Sequence, residues 1–215
     1  MIIPNRSYTR EAPSKDAKSV FIFCEGKRRE FQYFSYFREL DSRINIEVHE
    51  LHHHDDNSPL GLLKIAERSI IPTSDNLKPK YSFVEGDEVW IVLDVDKDKV
   101  DSRKPQIETA MQSCNEKKDW NLVVSNPCFE VWLYYHTQPD KPAELSDKPS
   151  WWKQLVAETI RGGFDSHRHP LLIETASNNS KSNFNVVDGR PDVGCTEVHN
   201  LADSILPLVK EKLDK

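Results

Sequence analysis
The sequence predicts an α/β fold built on a mostly parallel sheet with helices on both faces. Two runs carry this expectation, Val20-Phe21-Ile22-Phe23-Cys24 and Val89-Trp90-Ile91-Val92-Leu93. Both are apolar without alternation, as strands buried on both faces of a parallel sheet are. Each stops abruptly at acidic residues: Glu25-Gly26 after the first, Asp94-Val95-Asp96-Lys97-Asp98 after the second. Stretches of helical periodicity follow the strands, so strand and helix alternate through residue 136.

In chain order, residues 1–18 are polar and read as a flexible N-terminal arm without a secretory signal. Gly26 permits a tight strand-to-helix turn. The next helix carries Phe31, Phe34 and Phe37 beside Tyr33, Tyr36 and Leu40. Lys27, Arg28 and Arg29 fall near its start, where the helix dipole disfavours cations. That broken rule marks either a functional site or a solvated basic face. Ile44, Ile46 and Val48 alternate with polar residues, as in an edge strand. His49, His52-His53-His54 and Asp55-Asp56 have metal-ligand chemistry, but consecutive histidines cannot converge from a regular element, so a loop is expected. Ser58 and Pro59 read as N-cap and first helical position, and Pro72 ends that helix.

Pro105 is expected to open a helix with Ile107, Ala110, Met111 and Cys114 on one face. Leu122-Val123-Val124 reads as a third central strand. Asn126 and Pro127 then read as N-cap and first position of an apolar helix over residues 128–136, with Glu130 near its start. Residues 137–149 read as a linker. Residues 150–215 read as a helical extension packed on the 19–136 core. In it, Trp151-Trp152 with Leu155 and Val156 form a short helix ended by Gly162-Gly163. Those tryptophans are either core or base-stacking residues. A second short helix covers residues 170–176, and a polar stretch covers 177–182. Pro207 should kink or break the last amphipathic stretch, which carries Val198, Leu201, Ala202, Ile205 and Val209.

Composition narrows the class. The 215 residues are 37% hydrophobic and 30% charged, which supports a core under a heavily solvated surface. No apolar run reaches a membrane-spanning length. Cys24, Cys114, Cys128 and Cys195 form no C-x-x-C pair, so reduced core thiols and a cytoplasmic protein are expected. A net charge of −6 argues against a general nucleic-acid coat but leaves room for a local basic patch.

The chemistry converges on one edge. Strand ends and following helix starts share the C-terminal edge of a parallel sheet, where open α/β sheets bind ligands. That edge gathers Glu25, Asp94, Asp96 and Glu130, with Asp98 and Asn126 nearby and Lys27, Arg28 and Arg29 beside them. Such acids are either a solvated acidic turn or ligands of a hard cation such as Mg²⁺. With adjacent cations they suit phosphoryl transfer. An EF-hand starting at Asp94 would need Gly and Glu where Lys99 and Pro105 stand. A haloacid-dehalogenase-type phosphatase normally has Thr or Val where Asp98 stands, and its nucleophile strand comes first. No phosphate-binding P-loop exists.

A strand ending in Glu25-Gly26 and a later one ending in Asp94-Val95-Asp96 resemble a Toprim-type catalytic core. With Lys27, Glu30, Tyr33-Phe34, the segment Ser125-Asn126-Pro127-Cys128-Phe129-Glu130, Ile173-Glu174-Thr175-Ala176 and Thr196-Glu197-Val198-His199, the chain resembles the RloB-like family over residues 18–210. The resemblance implies a Toprim-like fold with a C-terminal helical extension, Mg²⁺ or Mn²⁺, and cleavage of phosphodiester bonds in RNA, tRNA included, or DNA. It also implies a prokaryotic anti-phage or restriction-associated role, with an ABC-type ATPase as partner. By motif, Glu25 matches the Toprim glutamate and Asp94 and Asp96 its metal-binding aspartates, with Asp98 an additional acid and Lys27 beside them. Glu130, Asn126, Arg28 and Arg29 are second-line or substrate-contacting candidates. The competing expectations are a non-catalytic metal-binding sensor that regulates the ATPase, and a small-molecule phosphatase.

Overall fold
The computed structural model describes residues 9–96 and 100–213, the first three of the second span by backbone alone. The two apolar runs become β1 (Lys18–Cys24) and β3 (Glu88–Asp94). The alternating segment becomes β2 (Ile44–His49), and β4 is Trp120–Asn126. These four strands are parallel in the order β2-β1-β3-β4, so β2 is an edge strand as its alternation indicated. Two short strands, β5 (Val186–Val187) and β6 (Arg190–Pro191), form a separate hairpin. The short β7 (Cys195–Thr196) pairs antiparallel with β4 and completes the main sheet from within the 150–215 segment.

Neighbouring β1 residues feed different cores. Val20, Ile22 and Cys24 face a core with α1 (Arg29–Ser35). The same core takes in α4 (Glu130–Tyr134), α5 (Pro149–Thr159), α6 (Ile173–Ser182) and α7 (Val198–Leu213). Phe21 and Phe23 face a second core under α2 (Pro59–Ile70) and α3 (Val100–Asn115). A strand covered on both sides has no solvated face, which is why its sequence shows no polar alternation. Among the described residues, no helix is long and apolar enough to cross a membrane. All four cysteines are buried and free.

Several local expectations are corrected. Residues 1–8 of the N-terminal arm lie outside the described residues. Residues 9–17 are tied down: Glu11 and Ser14 donate backbone bonds to the carbonyls of Glu39 and Ser42 (2.8 Å each), and Glu11 pairs with Lys212 at 2.5 Å. The α3 helix begins at Val100, so Pro105 lies inside it rather than at its start. Pro207 likewise lies within a continuous α7. Asn126 and Pro127 do not cap a helix. Asn126 ends β4, the Asn126–Pro127 peptide is cis, and Phe129 precedes α4. The polar residues 177–182 are helical within α6. Tertiary bonds there use the polar side chains: Ser177 donates to Asp203 at 2.8 Å and Asn179 to the Tyr135 carbonyl at 2.9 Å. Ser58 does cap α2, accepting from the Gly61 N–H at 3.1 Å, with Pro59 in the first turn.

Candidate active site at the sheet's switch point
From β1 the chain turns outward to β2, then crosses back to β3 on β1's other side. The order therefore reverses between β1 and β3, and a crevice opens at their C-terminal ends. Glu25 directly follows β1 and Asp94 ends β3. The pairing of β1 with β3 continues one step past the strand, with the Glu25 N–H on the Val92 carbonyl at 3.2 Å. The Glu25 carboxylate reaches across to accept the Asp94 N–H at 3.3 Å.

A cleft of about 920 Å³ opens here. Its acids are Glu25, Glu30, Asp94, Asp96 and Glu130. Its cations are Lys27, Arg28 and Arg29 at the start of α1, and Lys148 and Lys153, the first just before α5 and the second on it. Pro149, Ser150, Asn57, Gly26 and Cys128 complete it. The described lining contains no aromatic ring.

Glu30 lies in the first turn of α1, only 8% exposed, and Glu130 starts α4 at 4%. Both positions follow from the helix-start preference for acids, and in a doubly wound sheet those starts open on the crevice. Gly26 does more than permit the turn. A Cβ there would lie 1.7 Å from Glu30 Oε2, so the missing side chain makes the space in which the Glu30 carboxylate rests. Burial first, then the nearby Glu130 and Glu25 carboxylates, push Glu30 up to about 7. Asp94 is held well above the usual carboxylate range by burial and by Glu30, Glu25 and Glu130, with Arg103 offsetting part of the effect. Burial, then Glu30 and Asp94, raise the Cys24 thiol.

Arg103, on α3 and 5% exposed, is the counter-cation inside this cluster. Its guanidinium pairs with the Glu25 carboxylate and donates to the Asp94 carbonyl at 3.0 Å. Arg29 approaches Glu130 at 3.4 Å, which offsets its unfavourable place at a helix start. Lys27 lines the cleft but does not pair with Glu25. Its ammonium donates to the His52 carbonyl at 2.7 Å, so the histidine loop anchors it through main chain. Asp96 sits at φ +46°, a left-handed conformation that aspartate tolerates, with its N–H on the Pro127 carbonyl at 3.0 Å.

The cleft thus brings together Glu25, Lys27, Arg28, Arg29, Asp94, Asp96 and Glu130. Asp98 lies outside the described residues. Asn126 points elsewhere: its amide donates to the Pro191 carbonyl at 2.8 Å and fastens the β5–β6 hairpin. Trp152 is fully buried with its indole N–H on the Ser146 carbonyl at 2.7 Å, so it is core and stacks on no base. Sequence reasoning passed over Arg103, Lys148 and Lys153. It noted Glu30 only within a motif, although the Gly26–Glu30 spacing was a usable signal.

As a place for a hard divalent cation, the donor chemistry fits. Carboxylates held up by like charge would be relieved by a cation. Among the described residues no three histidine, cysteine or acidic side chains form a closed ligand group. Mg²⁺, however, is commonly held by one or two carboxylates with waters and substrate phosphates completing its shell. Asp94 with Glu30 or Glu130 matches that habit.

A family model described as RloB-like protein matches residues 20–205, from β1 into α7. The chain belongs to the RloB-like family. The match takes in every acid and cation of the cleft. No curated protein and no solved structure matches the chain.

Proposed function
We propose that this RloB-like protein is a Toprim-type phosphodiesterase acting on RNA or DNA with Mg²⁺ or Mn²⁺. The observation that carries the reading is a buried carboxylate cluster at the switch-point crevice, rimmed by cations that have few acidic partners. Bound near Asp94, the cation would polarise the phosphate and acidify a water. The chain's own groups have distinct parts. Asp94, with Glu130, would hold the cation. Glu25 is oriented by Arg103 and by the Asp94 N–H. Glu30, pushed up to about 7, exchanges a proton near neutral pH. Arg28 and Arg29 neutralise phosphate charge as it develops. The family resemblance supports a place in prokaryotic anti-phage or restriction-associated defence beside an ABC-type ATPase.

A second reading is a non-catalytic module regulating such an ATPase. Its support is Arg103, which already occupies Glu25. Incubating the chain with total RNA and with plasmid DNA in Mg²⁺, alone and with lysate, separates the two. The nuclease reading expects cleavage by the wild type and none by Asp94→Ala or Glu25→Ala variants of unchanged circular dichroism. Absence of cleavage under every condition sinks it and leaves the regulatory module.

A further inference from the structure
A smaller cavity of about 270 Å³ adjoins the acidic cleft. It is lined by Arg28, Arg29, Gln32, Leu133, Phe164 and Ser166, and it shares both arginines with the larger cleft. The two spaces therefore meet at an arginine pair. Arg28 is exposed and has no carboxylate partner among the described residues, while Arg29 leans on Glu130. The two cavities differ in chemistry. The larger has no aromatic lining among the described residues. The smaller is lined by the part-exposed Phe164, with Gln32 and Ser166 beside it and the buried Leu133 behind. Phe164 packs among other rings. It stacks on His169 (centroids 4.8 Å, 30°) and lies nearly perpendicular to His136 (centroids 5.2 Å, 85°). His136 is itself fixed by the Trp132 carbonyl at 3.0 Å and the Tyr33 hydroxyl at 3.1 Å.

We propose that the Phe164 cavity is a nucleobase subsite: it takes one unpaired base of the strand whose phosphate lies in the acidic cleft, with Arg28 and Arg29 on the intervening phosphate. This rests on the nucleic-acid reading above and names the form of substrate, a single strand or an extruded nucleotide. A base would pack against the part of the Phe164 ring that His169 leaves exposed. Its edge meets Gln32, whose amide both donates and accepts, and Ser166, whose hydroxyl does the same, so the subsite favours a base without demanding one identity. A base paired within a duplex would have to leave its stack to reach the cavity.

The test uses the full chain and fluorescein-labelled single-stranded octamers of RNA and DNA. Octamers of equal length without bases are the reference, and Ca²⁺ replaces Mg²⁺. The wild type should bind the natural octamers more tightly than the base-free ones. Phe164→Ala should weaken natural octamers by about 5- to 100-fold, the loss that removing one base–aromatic stack produces, and leave base-free octamers unchanged. Phe164→Tyr should retain the preference. Gln32→Ala, at an exposed position, should reduce it without lowering the melting temperature. Arg28→Ala should weaken both octamer types and flatten the salt dependence. Equal binding of natural and base-free octamers by the wild type overturns the subsite and leaves the nucleic-acid reading standing. So does a preference that survives both Phe164→Ala and Gln32→Ala. No binding of any octamer by the wild type overturns both.

Discussion

The strand β3 carries a carboxylate at each end, and the two have opposite surroundings. Burial pushes Glu88 up, but bonds from Lys18 (2.5 Å), the Ser204 hydroxyl and the Trp90 indole N–H (2.8 Å) outweigh it and hold the group below its usual range. Its neighbour Asp87 accepts the N–H groups of Ser19 and Val84 at 2.8 and 2.9 Å. At the other end Asp94 faces Glu30, Glu25 and Glu130 with Arg103 as its internal counterweight, and it is pushed up. One end closes its hydrogen bonds within the chain. The other leaves like charges together, a mismatch that an external cation or a transferred proton resolves. Structural acids are matched by donors, and on the proposed reading the mismatched ones are those that act in chemistry.

The sharpest way to break this comparison is Asp94→Asn. It should lower phosphodiester cleavage by about 100-fold or more without lowering the melting temperature, because it removes a repelled charge. A loss of activity that merely tracks unfolding would make Asp94 a structural acid like Glu88. Next in size, Asp87→Ala removes the buried acceptor of two part-buried N–H groups and should cost about 1–3 kcal/mol in denaturant titrations, with cleavage per folded molecule unchanged.

A smaller effect tests the sign of the mismatch. The folded Glu30 binds its proton up to about pH 7, whereas an unfolded glutamate releases it near 4.5. The folded state therefore holds more protons in that window, and stability falls as pH rises through it. Glu30→Gln in EDTA should stabilise the protein at pH 8 by on the order of 2 kcal/mol and by almost nothing at pH 4. An equal gain at both values would mean that Glu30 is not repelled. The smallest effect belongs to Glu88→Gln, about 1 kcal/mol of lost stability, since the amide oxygen can still accept from Trp90 and Ser204.

Legibility followed the range of the interaction. Glu25 and Asp94 could be read because an apolar run ending in an acid reports both the strand and the side chain's place at its edge. Asn126-Pro127 was misread because local cap chemistry agreed with a helix start, while the pairing of β4 with β3 and β7 carried the strand through Asn126. Pro105 hid the start of α3, and with it Arg103, whose role depends on Glu25, 78 positions away. Nothing in Lys148 or Lys153 signals that α5 walls a cleft made by β1 and β3.

By itself the sequence determined the parallel sheet, its order of strand and helix, and the acids that end β1 and β3, because hydrophobic period and strand-end position are local properties. Only the tertiary structure decided which cations meet those acids, that Glu30 rests over Gly26, and that a Phe164 cavity adjoins the cleft. Charge balance and shape in a crevice arise from segments far apart in the chain, and no local pattern encodes their distance.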